Sequence, residues 1–372
     1  MANIVGLKGF NPSSGTARLF AAYGNDVVNV ATGMGYGLNL NGNDVEFENF
    51  LDRCFFQNYN DIPLSYRTST NVWSREYVGR TPRSKYIKKY KSRLYLGYCG
   101  FVGSQAPTDN DAGELVFASR VFYSDLFVDQ LTWGIQWGLN GATVSGGQFF
   151  TLQDASLLIQ NFKSENIKVG DPLFMFNTIN GDFKNKTWRV ASVESPYILR
   201  LTEKLPATEA GIDYWIGGNW FDVEPNDGDV ITGFGENSDR LLIFKLHSLW
   251  FYTGSQLKKV NGAPGTSYNR SIINDRYGNT YYFHGSDPKI TGIYKYNGVS
   301  SIKISKPIDP FILGMATASY DNVVAWAEGN EISFFLGNLS ATNLIDAMTN
   351  ARAVYNTDIE SWTVEPIADV IT

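Results

Sequence analysis

Four carboxylates, Asp222, Glu224, Asp227 and Asp229, crowd one short stretch of the chain. Carboxylates this close can hold Ca²⁺ or share acid and nucleophile roles on a glycosidic bond. A calcium loop also needs a bidentate Glu at a fixed distance, and none follows. Glycoside hydrolysis needs two carboxyl groups in different environments across a cleft, which spacing alone does not supply. The run Pro225-Asn226-Asp227-Gly228-Asp229 is simpler turn chemistry, because Asx side chains bond their own backbone and Gly accepts positive φ. His247 and His284 are the only histidines. Neither has a Cys, His or carboxylate neighbour at metal-ligand spacing, so both are expected to pack on strands. No Gly-x-Ser-x-Gly elbow, Walker loop or dinucleotide fingerprint occurs, which removes the common serine-hydrolase, nucleotide and hydride chemistries. The expectation is a protein that is not an enzyme, with no catalytic residue, no metal site and no cofactor.

A basic run, Arg80, Arg83, Lys85, Lys88, Lys89, Lys91 and Arg93, is interleaved with Tyr86 and Tyr90. Charge plus stacking could bind nucleic acid. The same residues could form a solvated edge strand, since lysines on edges block aggregation. They could also face an acidic patch on a neighbouring subunit. The order Ser124, Asp125, Thr132, Trp133 superficially resembles the Asp-box of sialidase-like propellers. The spacing is too long and the glycine is missing, so a strand, a turn and a packing Trp are expected instead.

The elements that carry these residues are strands. Of 372 residues, 43% are hydrophobic, 15% aromatic and 18% charged, with 36 glycines. That mixture suits a folded chain of short strands joined by tight turns. Strands of four to eight residues bounded by Gly, Asn, Asp or Pro dominate. Helical periodicity is confined to Ser340–Arg352 and a shorter stretch at Leu152–Phe162. A polar turn, an apolar strand and a partner strand recur in Arg18–Gly33, Phe47–Asn60, Tyr90–Gly100, Gly233–Gly254, Ile272–Gly298 and Ala316–Gly337. Units of roughly 40 to 50 residues fall in the range of propeller blades. The expected fold is all-β: a β-propeller of about five or six blades with an inserted small β-barrel. The propeller's first part is 1–133, the inserted domain 134–218 and the second part 219–372. Within the insert, strands are expected at Leu173–Phe176, Trp188–Val193 and Ile198–Thr202, with a hairpin signal at Asn180-Gly181-Asp182.

Cys54 and Cys99 sit in aromatic strand contexts and read as buried free thiols. The first residues carry no basic segment followed by a long apolar run, and no stretch reaches about 18 apolar residues. Synthesis in a cytoplasm, without a membrane span, is expected. The net charge of −6 disfavours general nucleic-acid binding, which needs clustered Lys and Arg.

The succession Arg93–Gly100, Val121–Trp133, Trp220–Gly254, Arg270–Gly298 and Ala351–Ile367 resembles the propeller of tailed-phage tail proteins, the tail tubular protein B or nozzle group and the phage stabilisation proteins. Asp227–Gly233, the strand pair in "LLIFKLHSLWFYTG" and the final "YNTDIESW" fit best. The resemblance covers roughly residues 85–134 and 218–367, and the chain is short for a full nozzle. It implies a virion component assembled in the host cytoplasm. Copies would form a ring, often sixfold, that docks to other phage tail proteins and continues the channel through which genomic DNA passes. Two other readings stay open: a receptor- or glycan-binding propeller that uses its Trp and Tyr, and a propeller glycoside hydrolase.

Overall fold

The computed structural model describes residues 4–13, 15–38, 40, 45–59, 61, 63–75, 82–100, 116–125, 133–152, 162, 167–176, 178–183, 187–339 and 348–367. The chain forms two compact units, Met1–Phe221 and Asp222–Thr372. The fold is a six-bladed β-propeller, made of six four-stranded antiparallel sheets, with a closed six-stranded barrel.

In the first unit, sheet one holds Ile4–Phe10, Arg18–Tyr23, Asp26–Asn29 and Met34–Gly35. Sheet two holds Glu46–Phe50, Arg53–Gln57, Leu64–Arg67 and Val72–Arg75. Sheet three holds Arg83–Tyr90, Arg93–Gly100, Val116–Tyr123 and Trp220–Asp222. In the second unit, sheet four holds Ile231–Asn237, Arg240–Lys245, Leu249–Tyr252 and Leu257–Lys259. Sheet five holds Ile273–Asn274, Thr280–His284, Gly292–Tyr296 and Ser301–Lys303. Sheet six holds Val324–Glu328, Glu331–Leu339, Met348–Asn356 and Ser361–Pro366.

Within each unit the first strands of consecutive sheets lie side by side, so the sheets fan outward from them. Each inner sheet is therefore covered on both faces, and its central strand reads as an unbroken apolar run. In Thr280–His284, Tyr281 and Phe283 pack towards sheet six with Phe334, Ala353 and Tyr355. Tyr282 faces the other way, with Leu242, Phe244 and Leu249 of sheet four. Sheet two does the same: Cys54 and Phe56 join the sheet-one core, and Phe55 joins Leu94 and Leu96 of sheet three. Alternation of period two thus becomes two cores per strand. Each buried aromatic contributes about 1.5–3 kcal/mol.

The barrel pairs its six strands in the order Ile135–Thr143, Phe149–Leu152, Ile198–Leu201, Thr187–Ser195, Pro172–Phe176, Glu209–Gly217, and closes on the first. Gly138 and Gly141 make room for rings: a Cβ there would stand 2.2 Å from Tyr214 and from Phe150, respectively. The three expected insert strands are present, and Leu173 pairs with Trp188 across the Asn180-Gly181-Asp182 connection. The barrel leaves and rejoins sheet three between its third and fourth strands. There the Asn219 N–H donates to the Trp133 carbonyl at 2.7 Å.

The helix expected at Ser340–Arg352 is corrected for its described part. Met348–Arg352 belong to a strand, where Phe335 pairs with Arg352 and Ala351 is fully buried. Ladder pairing and burial outweigh the local helical pattern. Residues 340–347 lie outside the described residues. At Leu152–Phe162, Leu152 ends a strand and 153–161 lie outside the described residues. The one α-helix among the described residues is the short Asp309–Leu313. Among them, no helix is long and apolar enough to cross a membrane.

Candidate functional site

The acidic stretch closes around a lysine that the sequence reading passed over. Lys245 ends an apolar strand of sheet four, and its side chain is completely buried. Its ammonium donates to Asp227 Oδ1 at 2.6 Å and to the carbonyls of Val223 and Glu224 at 3.0 and 3.2 Å. Three donors meet three acceptors, which is what a buried ammonium requires. Asp229 accepts from the His247 backbone N–H and from Ser248 Oγ. Glu224 pairs on the surface with Lys259. The 224–229 segment is thus a turn pinned to sheet four. Among the described residues, no group of three or more His, Cys, Asp or Glu side chains is placed to hold a metal.

The two histidines come together. His284 lies at the end of a sheet-five strand and is 1% exposed. His247 does not pack on a strand as expected; it is exposed between two strands of sheet four, turned outward where the chain reverses. His284 Nε2 and His247 Nδ1 lie 3.4 and 3.2 Å from the same atom, Ser286 Oγ. His284 Nδ1 stands 3.0 Å from the Gly265 carbonyl, which can only accept, so Nδ1 carries the proton. Burial holds His284 below the ordinary histidine value, outweighing Asp287 nearby. Gly265 is indispensable to this geometry, because a Cβ there would meet the Lys245 carbonyl at 1.7 Å.

The basic run lies on and beside the first strand of sheet three, at that sheet's end. Lys85 is exposed, with Nζ 3.8 Å from the centroid of Tyr98 and 5.5 Å from that of Tyr59. Lys91 lies over Tyr90 at 5.0 Å and Arg93 over Tyr123 at 5.2 Å. Arg83 and Lys88 are half-buried and Lys89 is exposed. Arg80 lies outside the described residues. Three of the cations thus sit on tyrosine faces of this unit. Of the residues that echoed an Asp-box, Ser124 is buried, with its Oγ accepting the Leu94 N–H, and Trp133 is buried too. Asp125 accepts from Asn219 Nδ2 at 2.6 Å. Thr132 lies outside the described residues. The described members fasten sheet three where the barrel departs.

One end of the barrel presents apolar side chains to water. Ile179 is 94% exposed and Val144 62% exposed. Neither is on a loose loop. Glu209, which pairs with Thr143 in the barrel, accepts the backbone N–H groups of Ile179 and Asn180. The Ser145 N–H donates to Thr208 Oγ1 at 2.9 Å, and Ser145 Oγ to the Pro206 carbonyl at 3.1 Å. Sequence reading missed this tip, because exposure of an isoleucine has no local signature.

No protein-family model matches the sequence, and no curated protein matches it. Among solved structures, the chain is similar to the computationally designed Ika8 protein at 7% identity and a TM-score of 0.39, over 98% of this chain and 87% of that one. Apo AztD from Citrobacter koseri shares 12% identity at a TM-score of 0.39, over 97% of this chain and 86% of that one. Phage phi92 endosialidase shares 10% identity at a TM-score of 0.25, over 85% of this chain and 44% of that one. This chain therefore spans less than half the length of that endosialidase.

Proposed function

We propose that this chain is a structural component of a bacteriophage tail, a nozzle, hub or ring protein that works through contacts rather than catalysis. Copies of it would close a ring around the channel used in DNA ejection. The observation that carries the reading is the barrel tip, where the Ile179 backbone N–H donates to the Glu209 carboxylate and Ile179 is 94% exposed. Apolar side chains on a tip whose backbone is hydrogen-bonded offer a contact surface, since a backbone ordered in advance lowers the entropy cost of docking. The resemblance of residues 85–134 and 218–367 to tail propellers supplies the kind of assembly. A net charge of −6 suits a channel wall that does not retain phosphate.

The test is immunogold electron microscopy, with antibody to this protein and particles from the producing culture. Gold on phage tails is expected, and its position separates tip, hub and upper ring. Protein in the lysate with no gold on intact or tail-opened particles overturns the reading and brings forward a glycan-binding propeller.

A further inference from the structure

We infer that His247 and His284 form a binding site for a late first-row divalent cation such as Zn²⁺, with water completing the coordination. The chain has two histidines in 372 residues. The packing of sheet five on sheet four aims a nitrogen of each at one point, the Ser286 hydroxyl, at 3.2 and 3.4 Å. Imidazole is the ligand that Zn²⁺, Cu²⁺ and Ni²⁺ share.

His284 has the supporting contact that a metal-ligating histidine needs. Such a ring almost always donates its second N–H to a carboxylate or carbonyl, which fixes the tautomer and aims the lone pair. Here Nδ1–H donates to the Gly265 carbonyl at 3.0 Å, leaving the Nε2 lone pair directed at Ser286. Asp287 adds a negative charge close to His284. The exposed His247 side completes the pair. Its backbone N–H donates to Asp229 at 3.1 Å, and the residue lies at the exposed surface.

Zn–N bonds are about 2.0–2.1 Å, so an ion at this point requires the rings to close in by roughly 1 Å. His284 is fixed by Gly265, so His247 supplies most of that movement while Ser286 Oγ turns aside. Ser286 already has a second partner, the Leu246 carbonyl at 3.2 Å, to which its hydroxyl donates. Two protein ligands leave the remaining positions to water, which places the affinity well short of a closed structural zinc site.

The experiment is isothermal titration of Zn²⁺ into the full chain, prepared without a histidine tag, at pH 7.5. It is paired with electron paramagnetic resonance of the Cu²⁺-loaded protein. One equivalent should bind, with nitrogen hyperfine structure on the Cu²⁺ signal. His247→Ala, a change at an exposed position that leaves the core intact, should weaken Zn²⁺ binding at least about tenfold and reduce the nitrogen couplings on Cu²⁺ from two imidazoles to one. Ser286→Ala should retain binding. His284→Gln is the second variant, checked for folding by circular dichroism. No saturable binding by the wild type overturns the inference, and so does binding by His247→Ala equal to the wild type.

Discussion

Lys245 Nζ lies 2.6 Å from Asp227 Oδ1, and the lysine side chain has no exposed surface. The pair ties the 224–229 turn to the central strand of sheet four. Substituting Lys245→Met keeps the aliphatic stem and removes the donor. The carbonyls of Val223 and Glu224 and the Asp227 carboxylate then lose their shared partner. Breaking a buried pair from one side costs about 3–5 kcal/mol. Asp227→Asn should cost less, about 1–3 kcal/mol, because its amide oxygen still accepts from Lys245. Urea unfolding followed by circular dichroism measures both. Wild-type stability in Lys245→Met would show that the turn is held by something else.

The elements most legible in the sequence are those set by neighbours along the chain. Thr280–His284 and Arg240–Lys245 are apolar runs between Gly, Asn and Asp turns, and both are central strands. The parts that escaped depend on distant partners. The inserted barrel is legible as a domain, but the strand pair that closes it, Ile135–Thr143 with Glu209–Gly217, is not. Its glycines at 138 and 141 look like breakers until Tyr214 and Phe150 fill the space over them. Lys245 reads as a strand-end cation, and only its burial reveals its role. His247 and His284 show no ligand spacing because sheet-on-sheet packing, not sequence separation, brings them to Ser286. Arg276 and Asp358, bonded at 2.8 Å between turns of sheets five and six, are a further case.

Both cysteines should be silent towards alkylating reagents in the native protein. Cys54 and Cys99 are fully buried and unpaired. Burial pushes the Cys54 thiol up to about 12, and Cys99 is shifted in the same direction for the same reason. The reactive thiolate is therefore scarce at neutral pH. Thiol titration without reductant should find no reactive group in the native state and both in denaturant. A missing pair of thiols in denaturant would refute the free-thiol assignment.

The barrel should be removable. Trp133 and Asn219 are already hydrogen-bonded at 2.7 Å, so deleting 136–217 and bridging with a short Gly/Ser linker spans a gap that the fold has closed. The barrel's Phe174 and Trp215 pack into the sheet-three core beside Trp133. Their loss should lower stability by about 3–5 kcal/mol without unfolding the sheets. A soluble product with β-type circular dichroism and a cooperative transition is expected. An insoluble or unfolded product would show that sheet three depends on the barrel.

Sheet five should make the protein labile to alkali. Burial raises the ionisation of Tyr281 and Tyr282 well above the ordinary tyrosine value of 10.0 and pushes Tyr294 up to about 12. Asp275 adds to the effect at Tyr281, whose hydroxyl donates to that carboxylate at 3.0 Å. These side chains stay protonated in the fold at a pH where the unfolded chain has begun to lose its protons. The folded state then binds more protons, so stability falls as pH rises. The stabilisation is complete below pH 10 and is lost as pH climbs towards the raised folded values. Absorbance at 295 nm should show some of the 21 tyrosines ionising early and the buried set only together with the loss of β circular dichroism. Tyr281→Phe and Tyr282→Phe should each flatten the fall in stability above pH 10, at a cost at neutral pH of about 1 kcal/mol for the lost hydrogen bonds. Ionisation of the whole set before any loss of ellipticity would mean that these hydroxyls are open to solvent.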